Sequence, residues 1–233
     1  MSASADVLVV MARSPVPGEV KTRLATAVGA EAACALYRAF LADIAARFGS
    51  GPWSLIWAVT PPDADLGPLV GQRGVQIPQE GDDLAERMHR VFTRLSRDGA
   101  ERVVMIGADA PHVADAALAA AFAALAVDDA VLMPTRDGGY CLVGLRAPHD
   151  IFSDIPMGTD EVCERTRQRL HALNLRCHML EPTFDVDELA DVAELANVID
   201  RGSVTLPRTA SLLREWRAAG LLPGPGGPRS ARP

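Results

Sequence analysis

Short apolar runs alternate along the chain with longer stretches in which apolar residues recur every three or four positions. The first run, residues 7–11, is continuously apolar and rich in β-branched side chains, which is typical of a strand buried on both faces of a sheet. From Ala33 to Phe48 the apolar side chains lie at helical spacing, which predicts an amphipathic helix of about 18 residues. Gly49 then ends this helix.

The same alternation continues through the rest of the chain. Strands are predicted at residues 55–59, 75–77, 102–106, 130–133, 140–145 and 176–180. Helices are predicted at 82–97, 114–125, 161–173 and 188–199, and a last amphipathic piece carries Leu212, Leu213 and Trp216. In the helix at 82–97, the side chains expected to face the core are Leu84, Met88, Val91, Phe92 and Leu95.

Strands that alternate with helices favour βαβ units and an α/β fold, a three-layer α/β/α Rossmann-like sandwich with a mostly parallel sheet. The strands at 130–133 and 140–145 are separated only by a short segment with a Gly-Gly turn, which predicts an antiparallel pairing and hence a mixed sheet. We expect one domain over residues 1–219 and a flexible tail rich in Pro and Gly at 220–233.

Composition narrows the possible functions. The formal net charge of −7 argues against a protein that coats nucleic acid. The sequence contains no apolar run long enough for a transmembrane helix, and no cationic segment precedes the first apolar run, so no membrane association and no secretory signal are expected. The four cysteines are scattered without metal-ligand spacing, which indicates free thiols and agrees with a cytoplasmic protein.

Ligands of open α/β sheets bind beyond the carboxyl ends of the strands, so the loops that follow the predicted strands are the candidate sites. The first of these loops contains Arg13, Gly18, Lys21 and Arg23. Backbone N–H groups of a glycine-containing loop and three cationic side chains suit a polyphosphate. The loop matches neither the P-loop pattern nor the dinucleotide fingerprint, and a solvated basic helix start is the alternative.

Carboxylates follow two other predicted strands. Asp109 lies between Gly107 and Pro111, and an Asp-x-Asp pair is formed by Asp185 and Asp187. Carboxylates in these positions suit Mg²⁺ or Mn²⁺, because Mg²⁺ needs only one or two of them when phosphates complete its coordination. Helix capping by Asp109 or Asp187 is the alternative interpretation, and the pattern leaves open whether Asp185 or Asp187 would contact the metal.

The loop between the strands at 130–133 and 140–145 holds a cation, a carboxylate and a phenol, namely Arg136, Asp137 and Tyr140. We expect it to contact a substrate, although a tight turn alone would explain its glycines. His112 is expected to be a surface or capping residue and not a ligand. Neither the G-x-S-x-G nor the H-E-x-x-H pattern is present, so acyl transfer and metalloproteolysis have no support.

The order of these loops resembles a bacterial group of GT-A-fold, glycosyltransferase-like proteins that are often encoded beside radical-SAM or arsenosugar genes. The shared motifs are P-x-P-G-x-V-K-T-R-L at 15–24, F-L-x-D at 40–43, Q-x-G-x-D-L-x-x-R-M at 79–88, G-x-D-x-P at 107–111, D-G-G-Y-x-L-x-G-L at 137–145 and D-V-D at 185–187. The first motif and its following helix also resemble 2-phospholactate guanylyltransferases. The chain departs from the pattern at Ala85, Ala108 and Ala110.

The resemblance implies a nucleotide-diphosphosugar-transferase fold with a metal site at Asp109 and the Asp185–Val186–Asp187 segment. The residues it places on the nucleotide are Arg13, Gly18, Lys21, Thr22, Arg23, Gln79, Gly81 and Asp82. The residues it places on the acceptor or sugar are Arg136, Asp137, Gly138, Gly139, Tyr140 and Thr159. Lys21, Arg23, Asp109 and Asp187 would carry the chemistry.

Three functions agree with this set of residues. The first is a metal-dependent nucleotidyltransferase that joins an NTP to a phosphorylated or phosphonylated small molecule and releases pyrophosphate. The second is a glycosyltransferase that uses an NDP-sugar and a small-molecule acceptor, with Asp137 as a possible base. The third is a nucleotide-binding module without catalysis. The base, the acceptor and the oligomeric state are left open.

Overall fold

The computed structural model describes residues 5–222, and in that range the chain forms seven strands and eight helices. The strands are β1 (Asp6–Arg13), β2 (Ser54–Thr60), β3 (Val75–Pro78), β4 (Arg102–Gly107), β5 (Ala130–Pro134), β6 (Tyr140–Leu145) and β7 (Cys177–Met179). The helices are α1 (Thr22–Val28), α2 (Ala30–Phe48), α3 (Gly67–Val70), α4 (Leu84–Arg97), α5 (Asp115–Ala124), α6 (Val162–Ala172), α7 (Leu189–Asp200) and α8 (Pro207–Ala218).

All seven strands belong to one sheet in the order β3-β2-β1-β4-β6-β5-β7. Neighbouring strands are parallel except at β6, which runs antiparallel to both β4 and β5. This confirms the mixed, mostly parallel sheet. Because every strand other than β6 points the same way, the loops after β1, β3, β4, β5 and β7 all begin at one edge of the sheet, where ligands of such folds bind.

Helices cover both faces of the sheet and so complete three layers. Strand β1 contributes side chains to the core on both faces of the sheet. Leu8 and Val10 pack beneath α2, α5, α7 and α8, whereas Val7 and Val9 pack beneath α4 and α6. A strand that is buried on both faces cannot alternate polar with apolar residues, which is the pattern its sequence shows. Within residues 5–222, every helix is too short or too polar to span a bilayer.

The structure corrects the sequence expectations in a few places. Leu84 is the first residue of α4 and is 46% exposed, so it does not face the core. The helix begins there because the Asp83 carboxylate caps it, accepting the N–H of Glu86 at 2.8 Å. The short helices α1 and α3 were not expected from the pattern. Residues 223–233 of the expected tail lie outside the described residues, and the extent of the domain stays a prediction.

A buried carboxylate joins the long helix α2 to the C-terminal helix α8. Asp43 on α2 is fully buried, and its two oxygens accept the backbone N–H groups of Arg208 and Thr209 at 3.1 and 2.9 Å. These N–H groups belong to the first turn of α8, where no bond within the helix can satisfy them. The negative charge is also favourable at that end of the helix. Asp43, the last residue of the F-L-x-D motif, therefore has a structural role.

We expect Asp43→Ala to lower the free energy of unfolding by about 2 kcal/mol, because one buried and one partly buried N–H group lose their acceptor. Asp43→Asn, which keeps one acceptor oxygen, should cost less. Urea denaturation of both variants measures the effect, with Asp63→Ala as an exposed control. A loss for Asp43→Ala no larger than that of the control would show that the cap does not hold α8 in place.

Candidate functional site

The loop after β1 is held in place by one face of helix α2. The hydroxyl of Tyr37 accepts the backbone N–H of Arg13 at 3.0 Å. The thiol of Cys34 and the guanidinium of Arg38 both donate to the carbonyl of Pro15, at 3.1 and 3.0 Å. Burial raises the pKa of Tyr37, so this anchor stays neutral across the physiological range. Contacts with helix α2 therefore fix the conformation of the basic loop.

Lys21 lies at the point where this loop enters α1, and its side chain is only 2% exposed. Its ammonium forms ion pairs with Asp109 and with Asp187, the latter at 3.1 Å from Nζ to Oδ1. The ring of Phe40 lies beneath it, 5.9 Å from Nζ to the ring centroid. Residues from the loops after β1, β4 and β7 therefore meet at one ammonium group, and we call Lys21, Asp109, Asp185 and Asp187 the acid–lysine cluster.

The backbone of Lys21 has φ 50° and ψ 44°, in the left-handed region that side chains other than glycine seldom adopt. Such a conformation persists only where surrounding contacts fix it. Burial by itself lowers the pKa of Lys21, but the charges of Asp109 and Asp187 outweigh burial, so the pKa is raised and the ammonium stays charged.

The segment that carries Asp185 and Asp187 is extended, so its side chains alternate between two sides. Phe184 and Val186 are buried, whereas the two carboxylates are on the opposite side with Lys21. The N–H of Val186 donates to the carbonyl of Asp109 at 3.1 Å, which ties this segment to the loop after β4. The Asp-x-Asp spacing thus places both carboxylates at one site.

Neither capping alternative is realised by the expected residue. Helix α7 is capped by Glu188, which forms a capping box with Asp191, and Asp187 is not its cap. Helix α5 begins at Asp115 with Ala114 before it, so Asp109 is not a helix cap either. Asp109 and Asp187 are therefore available to the cluster.

Asp185 is the carboxylate most perturbed by its surroundings. Burial raises its pKa to about 7, and the neighbouring carboxylates of Asp109, Asp137 and Asp187 contribute to the same shift. Protonated and ionised forms of Asp185 therefore coexist near neutral pH. Perturbed carboxyl groups of this kind are concentrated at functional sites, although ion-pair networks also produce them.

The acid–lysine cluster fits a metal ion that arrives with phosphate better than one held by protein alone. Among residues 5–222 there is no group of three or more His, Cys, Asp or Glu side chains arranged to hold a metal ion. The side chains of Asp109 and Asp187 are, however, 49% and 41% exposed, so each keeps oxygens open to solvent. Two carboxylates are what Mg²⁺ commonly takes from a protein when phosphates and water supply its other ligands.

The other candidate nucleotide-binding residues of the basic loop are exposed to solvent. Arg13 is exposed and pairs with Glu19 at 3.5 Å. Arg23 and Thr22 are exposed on the first turn of α1, and Gly18 has φ 82°, a conformation that favours glycine. The structure thus brings only Lys21 of the three loop cations into contact with the carboxylates.

The segment after β3 has a partly structural role. Gln79 is buried, and its amide nitrogen donates to the carbonyls of Ala12 and Ala58 at 3.1 and 2.7 Å, which ties the carboxyl ends of β1 and β2 together. Gly81 has φ 135°, and Asp82 is exposed at the same edge of the sheet. The side chain of Gln79 is therefore committed to the framework, while the residues after it face solvent.

The loop between β5 and β6 is a tight turn that is closed by Asp137. Its Oδ1 accepts the hydroxyl of Thr135 at 2.5 Å and the N–H of Gly139 at 3.1 Å. Gly138 has φ 88°, and a Cβ atom there would lie 1.8 Å from the carbonyl oxygen of Asp160. Only glycine fits this position, and the close approach brings the segment that contains Thr159 beside the turn.

Three residues expected at the acceptor lie in different surroundings. The hydroxyl of Tyr140 is buried in the core beneath α6, where burial raises its pKa, and it is not directed at the cluster. Arg136 is exposed and pairs with Glu194 at 2.8 Å. Thr159 is exposed, and its hydroxyl donates to the carbonyl of Pro156 at 3.0 Å.

Two contributors to the site were missed by the sequence analysis. Tyr37 is one of the residues at helical spacing between Ala33 and Phe48, and this pattern did not indicate that its hydroxyl would bond to the loop after β1. The expectation that His112 lies at the surface or caps a helix was wrong, because this residue is only 8% exposed and stacks on Phe184 with ring centroids 4.1 Å apart. A histidine directly after Asp109-Ala110-Pro111 was the available signal.

The chain is similar to one family model and to several solved structures. Residues 44–159 match the family model described as "Uncharacterized protein conserved in bacteria (DUF2064)". Among solved structures, the crystal structure of a "putative nucleotide-diphospho-sugar transferase" from Desulfovibrio desulfuricans G20 is 31% identical, with a TM-score of 0.87 over 95% of this chain and all of that one. No protein with a curated description matches the chain in sequence.

More distant structures share the fold alone. A cytidylyltransferase from Leptospira borgpetersenii is 11% identical, with a TM-score of 0.54 over 93% of this chain and 95% of that one. A CMP:2-keto-3-deoxy-manno-octonic acid synthetase in complex with CTP is 15% identical, with a TM-score of 0.51 over 84% of this chain and 99% of that one. The chain therefore belongs to the DUF2064 family of bacterial proteins and has the nucleotide-diphosphosugar transferase fold.

Proposed function

We propose that this protein is a metal-dependent nucleotidyltransferase that joins an NTP to a phosphorylated or phosphonylated small molecule. The observation that carries the proposal is the acid–lysine cluster, in which a buried ammonium and two half-exposed carboxylates meet at the carboxyl edge of the sheet. Shared fold with a cytidylyltransferase and with a CTP-bound synthetase supports a nucleotide at this edge. The general class, a transferase of nucleotidyl or glycosyl groups, is also supported by the 31% identical relative.

In this reaction an acceptor oxygen attacks the α-phosphorus of the NTP. The bond from phosphorus to the bridging oxygen breaks, and pyrophosphate leaves with the electron pair. Such chemistry depends mainly on positioning and on neutralising charge. Lys21 would bind phosphate oxygens, and Arg13 and Arg23 would add positive charge at the solvent side of the leaving group.

Asp109 and Asp187 would hold Mg²⁺ or Mn²⁺, which when bound neutralises phosphate charge and orients the phosphate oxygens. Asp185 would lie beside them as a partly protonated carboxyl group. The turn at 137–139 and the exposed Thr159 would face the acceptor. Gly81 and Asp82, at the edge above Gln79, would contact the base or ribose.

A glycosyltransferase that uses an NDP-sugar is the second candidate, and the description of the 31% identical relative favours it. In addition, triphosphate sites of proteins commonly present more positive charge than the single buried ammonium of Lys21 provides. Oδ1 of Asp137 accepts both hydrogen bonds within the turn. In this reaction the other oxygen of Asp137, Oδ2, would therefore act as the base. The motif order further supports placing the chain with the proteins encoded beside radical-SAM or arsenosugar genes.

The first prediction from this proposed function concerns Lys21. We expect Lys21→Met to weaken NTP binding in the presence of Mg²⁺ by about tenfold or more, because a buried charge partner of the phosphates is lost. The same variant should bind free Mn²⁺ more tightly than the wild type, because Asp109 and Asp187 lose the cation that occupies them. Calorimetry measures the first effect, and electron paramagnetic resonance of Mn²⁺ measures the second.

Arg97→Met is the matched control, because it removes one positive charge from an exposed position at the end of α4. Thermal unfolding of both variants checks that they are folded. If Lys21→Met bound NTP as the control does, the phosphate role of Lys21 would be wrong. If it bound Mn²⁺ no more tightly, Asp109 and Asp187 would not be the metal ligands.

The second prediction separates the two transferase candidates. We expect one NTP, together with Mg²⁺ or Mn²⁺, to raise the thermal stability of the protein, since a ligand at 100 times its Kd adds about 2.7 kcal/mol. The measurement is a thermal-shift panel of four NTPs and common NDP-sugars, each with and without metal. A shift confined to an NDP-sugar would favour glycosyl transfer instead. No shift with any nucleotide would contradict both candidates.

A further inference from the structure

The two loops that bring carboxylates to the cluster are joined by contacts behind it. One is the loop after β4, which carries Asp109, and the other is the extended segment 183–187, which carries Asp185 and Asp187. The bond from Val186 N–H to the Asp109 carbonyl links their backbones at 3.1 Å. A single backbone hydrogen bond contributes only about 1 kcal/mol, so the side chains on the buried side of these loops also determine how firmly they are held.

On the side of these loops away from the Lys21 ammonium, His112 connects them. It lies three residues after Asp109, and its ring stacks on Phe184, with centroids 4.1 Å apart and an interplanar angle of 25°. Its Nε2 is 3.0 Å from the hydroxyl oxygen of Thr183. His112 thus contacts two consecutive residues of the opposite segment, and it does so immediately before Asp185.

The far side of that segment is fixed to the sheet. The N–H of Thr183 donates to the carbonyl of Pro134 at 2.9 Å, and Thr183 pairs with Thr135 at the end of β5. The guanidinium of Arg136 also lies over the Phe184 ring, 5.3 Å from its centroid. The segment is therefore held by β5 on one side and by His112 on the other.

Burying the imidazole of His112 costs free energy that the burial of an apolar ring would not cost. Its Nδ1 is buried without a hydrogen-bond partner, and burial lowers the pKa of His112 to about 4. The charged groups that face it are Glu194, Arg47 and Arg136. At neutral pH the ring is uncharged, so it contributes through stacking and through the bond to Thr183, and not as a charge.

We propose that His112 is a positioning residue that sets the separation of Asp109 from the Asp185 and Asp187 carboxylates. The proposal rests on the proposed function, since it assumes that these carboxylates bind the metal–phosphate group. His112 itself contacts neither Lys21 nor a carboxylate of the cluster among its described hydrogen bonds and ring contacts. It acts through Phe184 and Thr183.

The first test measures this coupling without any ligand. Hydrogen exchange of individual amides is followed by NMR in the wild type and in His112→Ala, with Val186 as the local probe and Val9 in the centre of β1 as the global probe. In His112→Ala we expect protection of Val186 to fall about tenfold more than that of Val9, because the loops separate locally. His112→Phe, which keeps a ring against Phe184, should restore most of the protection.

Leu170→Ala is the control, because Leu170 is fully buried on α6, in the core on the face of the sheet opposite to Phe184, and lies outside both loops. It should lower the protection of both probes together through loss of global stability. If Val186 in His112→Ala followed Val9 as it does in the control, or if His112→Phe were no better than His112→Ala, the coupling would be refuted.

The second test connects the coupling to the site. With the NTP identified by the thermal-shift panel, or with tripolyphosphate and Mn²⁺ as a probe without a base, we expect His112→Ala to bind about tenfold more weakly than Leu170→Ala. Unchanged affinity together with a loosened Val186 would overturn the positioning role. If the wild type bound neither probe, the proposed function would fail, and the exchange experiment would still decide whether His112 joins the loops.

Discussion

The ammonium of Lys21 is the group on which the arrangement of the site depends. Removing a lysine side chain from water is unfavourable unless opposite charges and hydrogen bonds replace the lost solvation. Asp109 and Asp187 provide that replacement, and they come from the loops that follow two different strands, β4 and β7. The two ion pairs therefore draw the loops after β1, β4 and β7 together, which makes the cluster part of the fold as well as a candidate active site.

Helix α2 positions the loop after β1 and the Lys21 ammonium at the end of that loop. Its Cys34, Tyr37 and Arg38 hold the loop after β1, Phe40 lies beneath Lys21, and Asp43 caps α8. These residues occupy neighbouring positions within fewer than three turns of one helix. Because helix α2 contacts both the start of this loop and the Lys21 ammonium, it can fix the left-handed backbone of Lys21 without a bound ligand.

Sequence patterns were sufficient for the layers and for the edge at which the site lies, because both follow from periodicity and strand direction. Asp109 and Asp185 could be assigned to one edge, since parallel strands end together. The patterns could not reveal contacts that depend on tertiary packing, such as the hydroxyl of Tyr37 on the Arg13 backbone or the turn of Tyr140 into the core. In the run Asp185-Val186-Asp187-Glu188 several acids could cap α7, and only the path of the chain selects Glu188.

The charge of the acid–lysine cluster limits what can bind there. Lys21 contributes one positive charge, whereas Asp109 and Asp187 contribute two negative ones, and the partly ionised Asp185 adds to the excess. A polyphosphate alone would be repelled by these carboxylates, and a metal ion alone would compete with an ammonium that already contacts both of them. A metal–phosphate complex resolves both conflicts, because the metal can face the carboxylates while the phosphate faces Lys21. The proposed binding of a nucleotide together with its cation therefore depends on the asymmetry of charge within the cluster, and not on its total charge.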